Sequence, residues 1–176
     1  MLKHLLITAL LTTIPAVSFS QELESKYTEV GRFVGTLDDA PVDYVGTYNN
    51  ERERSSVTID ERTGFAMILA QTRSIASDGS LGNAGIGVLI GPLMAGLPAG
   101  ADVTVTSDAG FYIAGVDFDG RLPIKDLDYS ETNLSFSISG TLVPVKRGDN
   151  SEFQRDPDRD PINITGTFSG TPTYRE

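Results

Sequence analysis

NLSFSISGTLVPV, residues 133–145, alternates apolar and small polar side chains: Leu134, Phe136 and Ile138 in one register, Ser135, Ser137 and Ser139 in the other. Successive side chains of a strand point to opposite faces, so this stretch reads as a β-strand with one buried face. It contains Ile138-Ser139-Gly140-Thr141-Leu142, a pattern of apolar, any residue, Gly, Thr, apolar. The same pattern recurs at Phe33–Leu37, Tyr44–Tyr48 and Ile164–Phe168. In each copy the first, third and fifth positions share a face, which sets the glycine between two inward apolar residues. A glycine there leaves room for a bulky neighbour or marks a bulge. The copies are unevenly spaced, so they read as core strands and not as a solenoid repeat.

Outward from these copies, most of the chain reads the same way. Residues 27–37, 42–48, 56–60, 65–71, 102–107, 111–118, 133–145 and 162–169 are short β-rich runs divided by turn signals. Glu61–Gly64 fits a hairpin loop, Asp108-Ala109-Gly110 a turn, and Asp119-Gly120 a two-residue hairpin of the primed type. About eight to ten strands at such spacing predict an all-β fold. The expectation is a single-domain, mostly antiparallel β-sandwich over residues 21–176, with a small β-barrel as the alternative. One segment competes: Phe65, Ile68, Leu69, Thr72 and Ala76 also fit helical spacing over 62–76.

Residues 1–20, MLKHLLITALLTTIPAVSFS, read as a secretory signal peptide. Lys3 and His4 form a short basic start, Leu5–Ile14 is too short to span a bilayer, and Ser18 and Ser20 suit cleavage before Gln21. With no cysteine to staple an exported domain, the lean is towards a periplasmic or secreted protein of a Gram-negative bacterium. The formal net charge is −10, and the leader takes away one lysine and no acid. Such a surface repels nucleic acid.

Missing residue types narrow the chemistry. His4 is the only histidine, and cysteine and tryptophan are absent. Without the leader, Ser-His-Asp and Cys-His nucleophilic sites are excluded, as are the common zinc, copper and haem ligations. Two carboxylates could still act on a sugar, but 24 acids make any such pair uninformative.

Two stretches remain. Gly79–Ala101 carries no charge. Its glycines and two prolines argue against a membrane helix, and it lacks the glycine and lysine spacing of a phosphate loop. It reads as a buried strand at 85–90, a turn at Gly91-Pro92 and a loop into the strand at 102–107. Segment 82–100 is also the place for lipid contact or self-association. The other stretch, GDNSEFQRDPDRDPIN (148–163), sets Asp156, Asp158 and Asp160 at alternate positions, as at the start of an EF-hand loop. Pro161 then stands where glycine is needed, and Thr167 where a bidentate glutamate is needed. Asp117 and Asp119, flanking Phe118, and Asp126 and Asp128, flanking Leu127, are outward pairs that could supply further ligands, and the metal expectation is a composite Ca²⁺ site of Asp156, Asp158, Asp160, Asp117 and Asp119. Arg147, Arg155 and Arg159 offer the opposing reading, a solvated loop of ion pairs.

The functional expectation is therefore an exported, non-enzymatic binding or structural accessory protein for a protein or small-molecule ligand, with no cofactor beyond that Ca²⁺. The alternatives are a membrane-associated protein, either an outer-membrane barrel or a sandwich with a lipid-contacting 82–100 loop, and a carboxylate-dependent hydrolase.

Overall fold

Leu134, Phe136 and Ile138 are buried to 2% exposure or less, while the serines between them are not buried. The alternation of the sequence is thus the alternation of the folded strand. The computed structural model of the protein describes residues 22–63, 65–93, 100–148 and 152–175. Residues 1–20, read above as a signal peptide, lie outside them.

In chain order the strands are β1 (Tyr27–Leu37), β2 (Ala40–Asn49), β3 (Arg54–Ser55), β4 (Val57–Arg62), β5 (Phe65–Ile75), β6 (Leu81–Leu93) and β7 (Gly100–Ser107). Then follow β8 (Gly110–Ala114), β9 (Leu122–Tyr129), β10 (Leu134–Arg147), β11 (Phe153–Arg155), β12 (Ile162–Gly170) and β13 (Thr173–Arg175). The described residues form no helix, so 62–76 takes the strand reading. Ala66, Ile68, Ala70 and Thr72 are its buried positions, a period of two.

The sheet runs β5-β6-β7-β8-β10-β12-β1-β2 and closes where Val45 of β2 pairs with Arg73 of β5. It is a closed 8-strand antiparallel barrel with extra strands, the small-barrel form of the expected all-β fold. The first and last long strands join over seven residue pairs, from Gly31↔Gly170 to Leu37↔Ile164. Closure pairs edges that an open sheet would leave exposed.

Two local readings change. Asp119 and Gly120 both have positive φ, 59° and 94°, as a primed turn requires. They do not join a hairpin, however. β8 and β9 each pair with β7 and with β10, so they share one position in the barrel wall and 115–121 interrupts it. A two-residue hairpin turn with both φ positive is formed instead by Asp38-Asp39, at 45° and 64°, between β1 and β2. Short Asp side chains tolerate that conformation. The turn read at Gly91-Pro92 is strand instead: β6 continues to Leu93, opposite Ala66. Most of the 82–100 segment is thus wall, paired with β5 and β7, while 94–99 lie outside the described residues.

The interior is filled by side chains. Phe33, Phe136, Phe168, Ile59, Ile68, Ile86, Ile90, Leu134, Ile138, Leu142 and Ile164 are all exposed by 2% or less. Phe136 and Phe168 stack with ring centroids 5.3 Å apart. The β1–β12 seam explains the recurring glycine. Gly35 faces Gly166 directly, and a Cβ on Gly166 would lie 2.4 Å from Phe33 Cζ. A Cβ on Gly31 would lie 2.5 Å from Phe168 Cζ. Each aromatic ring therefore lies in space that a glycine leaves open.

Candidate functional site

The acidic segment is held by arginines. β11 pairs with the end of β10, Val145↔Arg155 through Arg147↔Phe153, and this brings residues 156–160 against the β7–β8 turn. The Arg159 Nε–H donates to Asp156 Oδ2 at 2.8 Å. Its Nη2–H groups donate to the carbonyls of Val145 at 2.7 Å and Phe111 at 3.3 Å, and Nη1 donates to that of Ala109. The guanidinium lies 5.0 Å from the centroid of the Tyr112 ring, a cation–π contact. Lys146 adds a second cation 3.6 Å from Asp156, and Arg155 pairs with Asp119.

The structure thus joins Asp156 to Arg159 and Lys146, and Asp119 to Arg155. It does not assemble the five aspartates. Asp117, Asp158 and Asp160 are exposed, and their carboxylates form no ion pair among the described residues. Nor does any group of three or more His, Cys, Asp or Glu among the described residues form a metal-holding cluster. Cations occupy the positions next to Asp156 and Asp119 where Ca²⁺ would compete for oxygen.

The Arg159 hydrogen bond, helped by the Asp158 backbone N–H and by Lys146, holds the Asp156 carboxyl below the usual carboxylate range against the opposing effect of burial. A lowered folded-state pKa gives stability that is present above the unfolded value of about 3.9 and is lost as pH falls through the folded value. The clamp is therefore intact at neutral pH and releases below about pH 4. Arg159→Ala removes charge-assisted bonds to the Asp156 carboxylate and to the carbonyls of Val145, Phe111 and Ala109, and is expected to destabilise the protein. Thermal melting should show a lower midpoint. The same wild-type melt in EDTA and in Ca²⁺ is expected to give one midpoint; a Ca²⁺-specific rise would mean that a metal displaces the guanidinium.

The outer face of β10 and β12 carries a polar ladder, while Val34, Met67, Phe111, Val116, Tyr129 and Phe153 are exposed apolar side chains elsewhere. Across β10 and β12, Ser137 and Thr167 share a hydrogen bond of 3.2 Å, as do Ser139 and Thr165, and Thr141 donates to Asn163 at 3.0 Å. Several open concavities mark the described surface, two of them on the outside of the wall around β5. One, of about 380 Å³, runs over β5, β6 and β7 where Gly85 and Gly87 carry no side chains. The other, of about 510 Å³, lies where β2 and β5 part, and arginines line it. No family model matches the chain, and no curated protein or solved structure shows detectable similarity to it.

Ser56 builds the floor of the second concavity. Residues 54–55 pair with β2, and 57–62 pair with β5, so the chain crosses between the two strands at Ser56. Its N–H donates to Thr47 O at 2.8 Å, its Oγ accepts from Thr47 N–H at 2.8 Å, and the same Oγ donates to Gln71 O at 2.7 Å. Sequence reading passed over this place because no motif marks it; β2, the 50–53 turn and β5 meet there only through the fold.

Asp60, Asp78 and Asp156 have carboxyl groups displaced from the usual carboxylate range. All three are lowered, chiefly by Arg62, Ser80 and Arg159 respectively. A general acid working near neutral pH needs the opposite displacement.

Proposed function

We infer that this protein is an exported binding or structural scaffold: a solid barrel that recognises its ligand or partner on the outer surface. The observation that carries the reading is the filled interior. Carrier barrels of eight strands hold a small ligand only where side chains leave a chamber, and here Phe33, Phe136 and Phe168 are each exposed by 1% among buried Ile and Leu. The two concavities described above are both open to the outside.

Further support comes from the wall. A membrane-spanning barrel turns an apolar band outward and a polar face inward. The Ser/Thr ladder on β10 and β12, set against the apolar interior, runs the other way and favours water over lipid. The leader at 1–20 supports export to the periplasm or medium, and the acidic composition speaks for partners other than nucleic acid.

Native mass spectrometry of protein purified from an exporting host tests both parts. The expected species begins at Gln21 and has the mass of the bare chain. A co-purifying apolar molecule that resists dissociation, or an uncleaved leader, would contradict the reading.

A further inference from the structure

Acids outnumber bases 24 to 14 in this chain, so a basic side chain meets a carboxylate by default. Of ten arginines, Arg32, Arg62, Arg121, Arg155 and Arg159 each have a carboxylate partner. Arg52, Arg54, Arg73, Arg147 and Arg175 have no ion pair among the described residues. Three of those five, Arg52, Arg54 and Arg73, line the one concavity floored by Ser56. Lys26 lines it too. Glu24, the lining carboxylate, is already paired with Lys26. Glu51 and Glu53 flank Arg52 on the turn but are not part of the lining.

This convergence comes from separate elements. Arg54 stands on β3 opposite Asn49, Arg73 on β5 opposite Val45, and Arg52 on the turn that Asn49 caps by accepting its backbone N–H at 2.9 Å. Like charges gathered in this way repel unless water or an anion separates them, and nothing in the composition forces the gathering. Guanidinium groups present planar forks of donors that match tetrahedral oxyanions, with a geometry that ammonium groups lack. A volume of about 510 Å³ exceeds what one bare ion fills and falls in the range of small-molecule sites.

We propose that this concavity binds a phosphate-type oxyanion, free or carried on a small molecule, with Arg54 and Arg73 as its principal donors and Arg52 at the mouth. The proposal rests on the reading of a barrel that recognises ligands on its outer surface. The two fail separately: a ligand inside the barrel overturns that reading, whereas absence of oxyanion binding overturns this site alone.

The test is calorimetric titration of residues 21–176 at low ionic strength and neutral pH with inorganic phosphate, inorganic pyrophosphate and glucose 6-phosphate. Saturable one-to-one binding is expected, weakened about tenfold or more by Arg54→Gln and by Arg73→Gln and unchanged by Arg147→Gln. All three positions are exposed, so equal melting midpoints check that the variants fold. Glucose 6-phosphate binding tighter than inorganic phosphate assigns the site to a phosphorylated small molecule; the reverse order assigns it to the free anion. No saturable binding of any probe, or equal weakening by Arg147→Gln, would overturn the proposal, because the attraction would then be absent or diffuse.

Discussion

Phe168→Ala is expected to destabilise the protein by about 3–5 kcal/mol, the largest loss from any single truncation at the seam. The ring is exposed by 1%, stacks on Phe136, and fills the space above Gly31 and Gly170. Truncation loses the transfer free energy of the ring and leaves a cavity. How far such a cavity collapses depends on what can move into it. Here the floor is Gly31 on the neighbouring β1 and Gly170 further along β12 itself, which have no side chains to offer. Urea denaturation should show a lower midpoint at unchanged slope. A loss below about 1 kcal/mol would mean that the interior is loosely packed, contrary to a solid barrel.

The complementary change adds atoms. Gly166→Ala would set a Cβ 2.4 Å from Phe33 Cζ and 2.8 Å from Val34 O. Phe33 is exposed by 1% and has no free volume to swing into, and the carbonyl belongs to a paired strand. Overpacking of this kind costs about 1–3 kcal/mol, and the upper end is expected because backbone is involved. Gly87→Ala is the control. The nearest atom to its added Cβ is Thr104 O at 3.9 Å, on the outside of the wall. That substitution should be neutral or stabilising by up to about 1 kcal/mol, through reduced freedom of the unfolded chain. If both variants lost similar amounts, the glycines would matter for backbone conformation and not for close approach.

Both predictions act on positions that the sequence marked. The four Gly-Thr copies fall on β10, β12, β1 and β2, which are consecutive neighbours in the sheet. Strand alternation and the role of those glycines could be read from residues two apart, because both are local. Closure could not. A sandwich and a barrel share the same alternation, and the difference lies in which distant edges meet, here β1 with β12 and β2 with β5. The helical alternative at 62–76 arose because Ala and Leu fit both periods; the buried set Ala66, Ile68 and Ala70 shows that two prevailed. Asp119-Gly120 has the backbone of a primed turn, but its context, an interruption shared between β7 and β10, depends on pairing at a distance.

The sites divide in the same way. That arginines would answer the acids of 147–160 was legible from composition. That Arg159 would reach across 50 residues to Ala109 and 48 to Phe111 was not. The three arginines at the Ser56 crossing carry no sequence signal, since Arg52 and Arg54 look like part of a mixed-charge turn and Arg73 like a lone surface residue. Only the sheet puts them together.

Closure of the barrel underlies the filled interior, the outward site and the glycine seam alike. Interstrand NOEs on residues 21–176 test it most directly. Backbone contacts between Phe33 and Phe168 and between Val45 and Arg73 are both expected in one sample. The first without the second would mean an open sheet or two packed sheets, and would contradict the closed barrel and the crossing at Ser56.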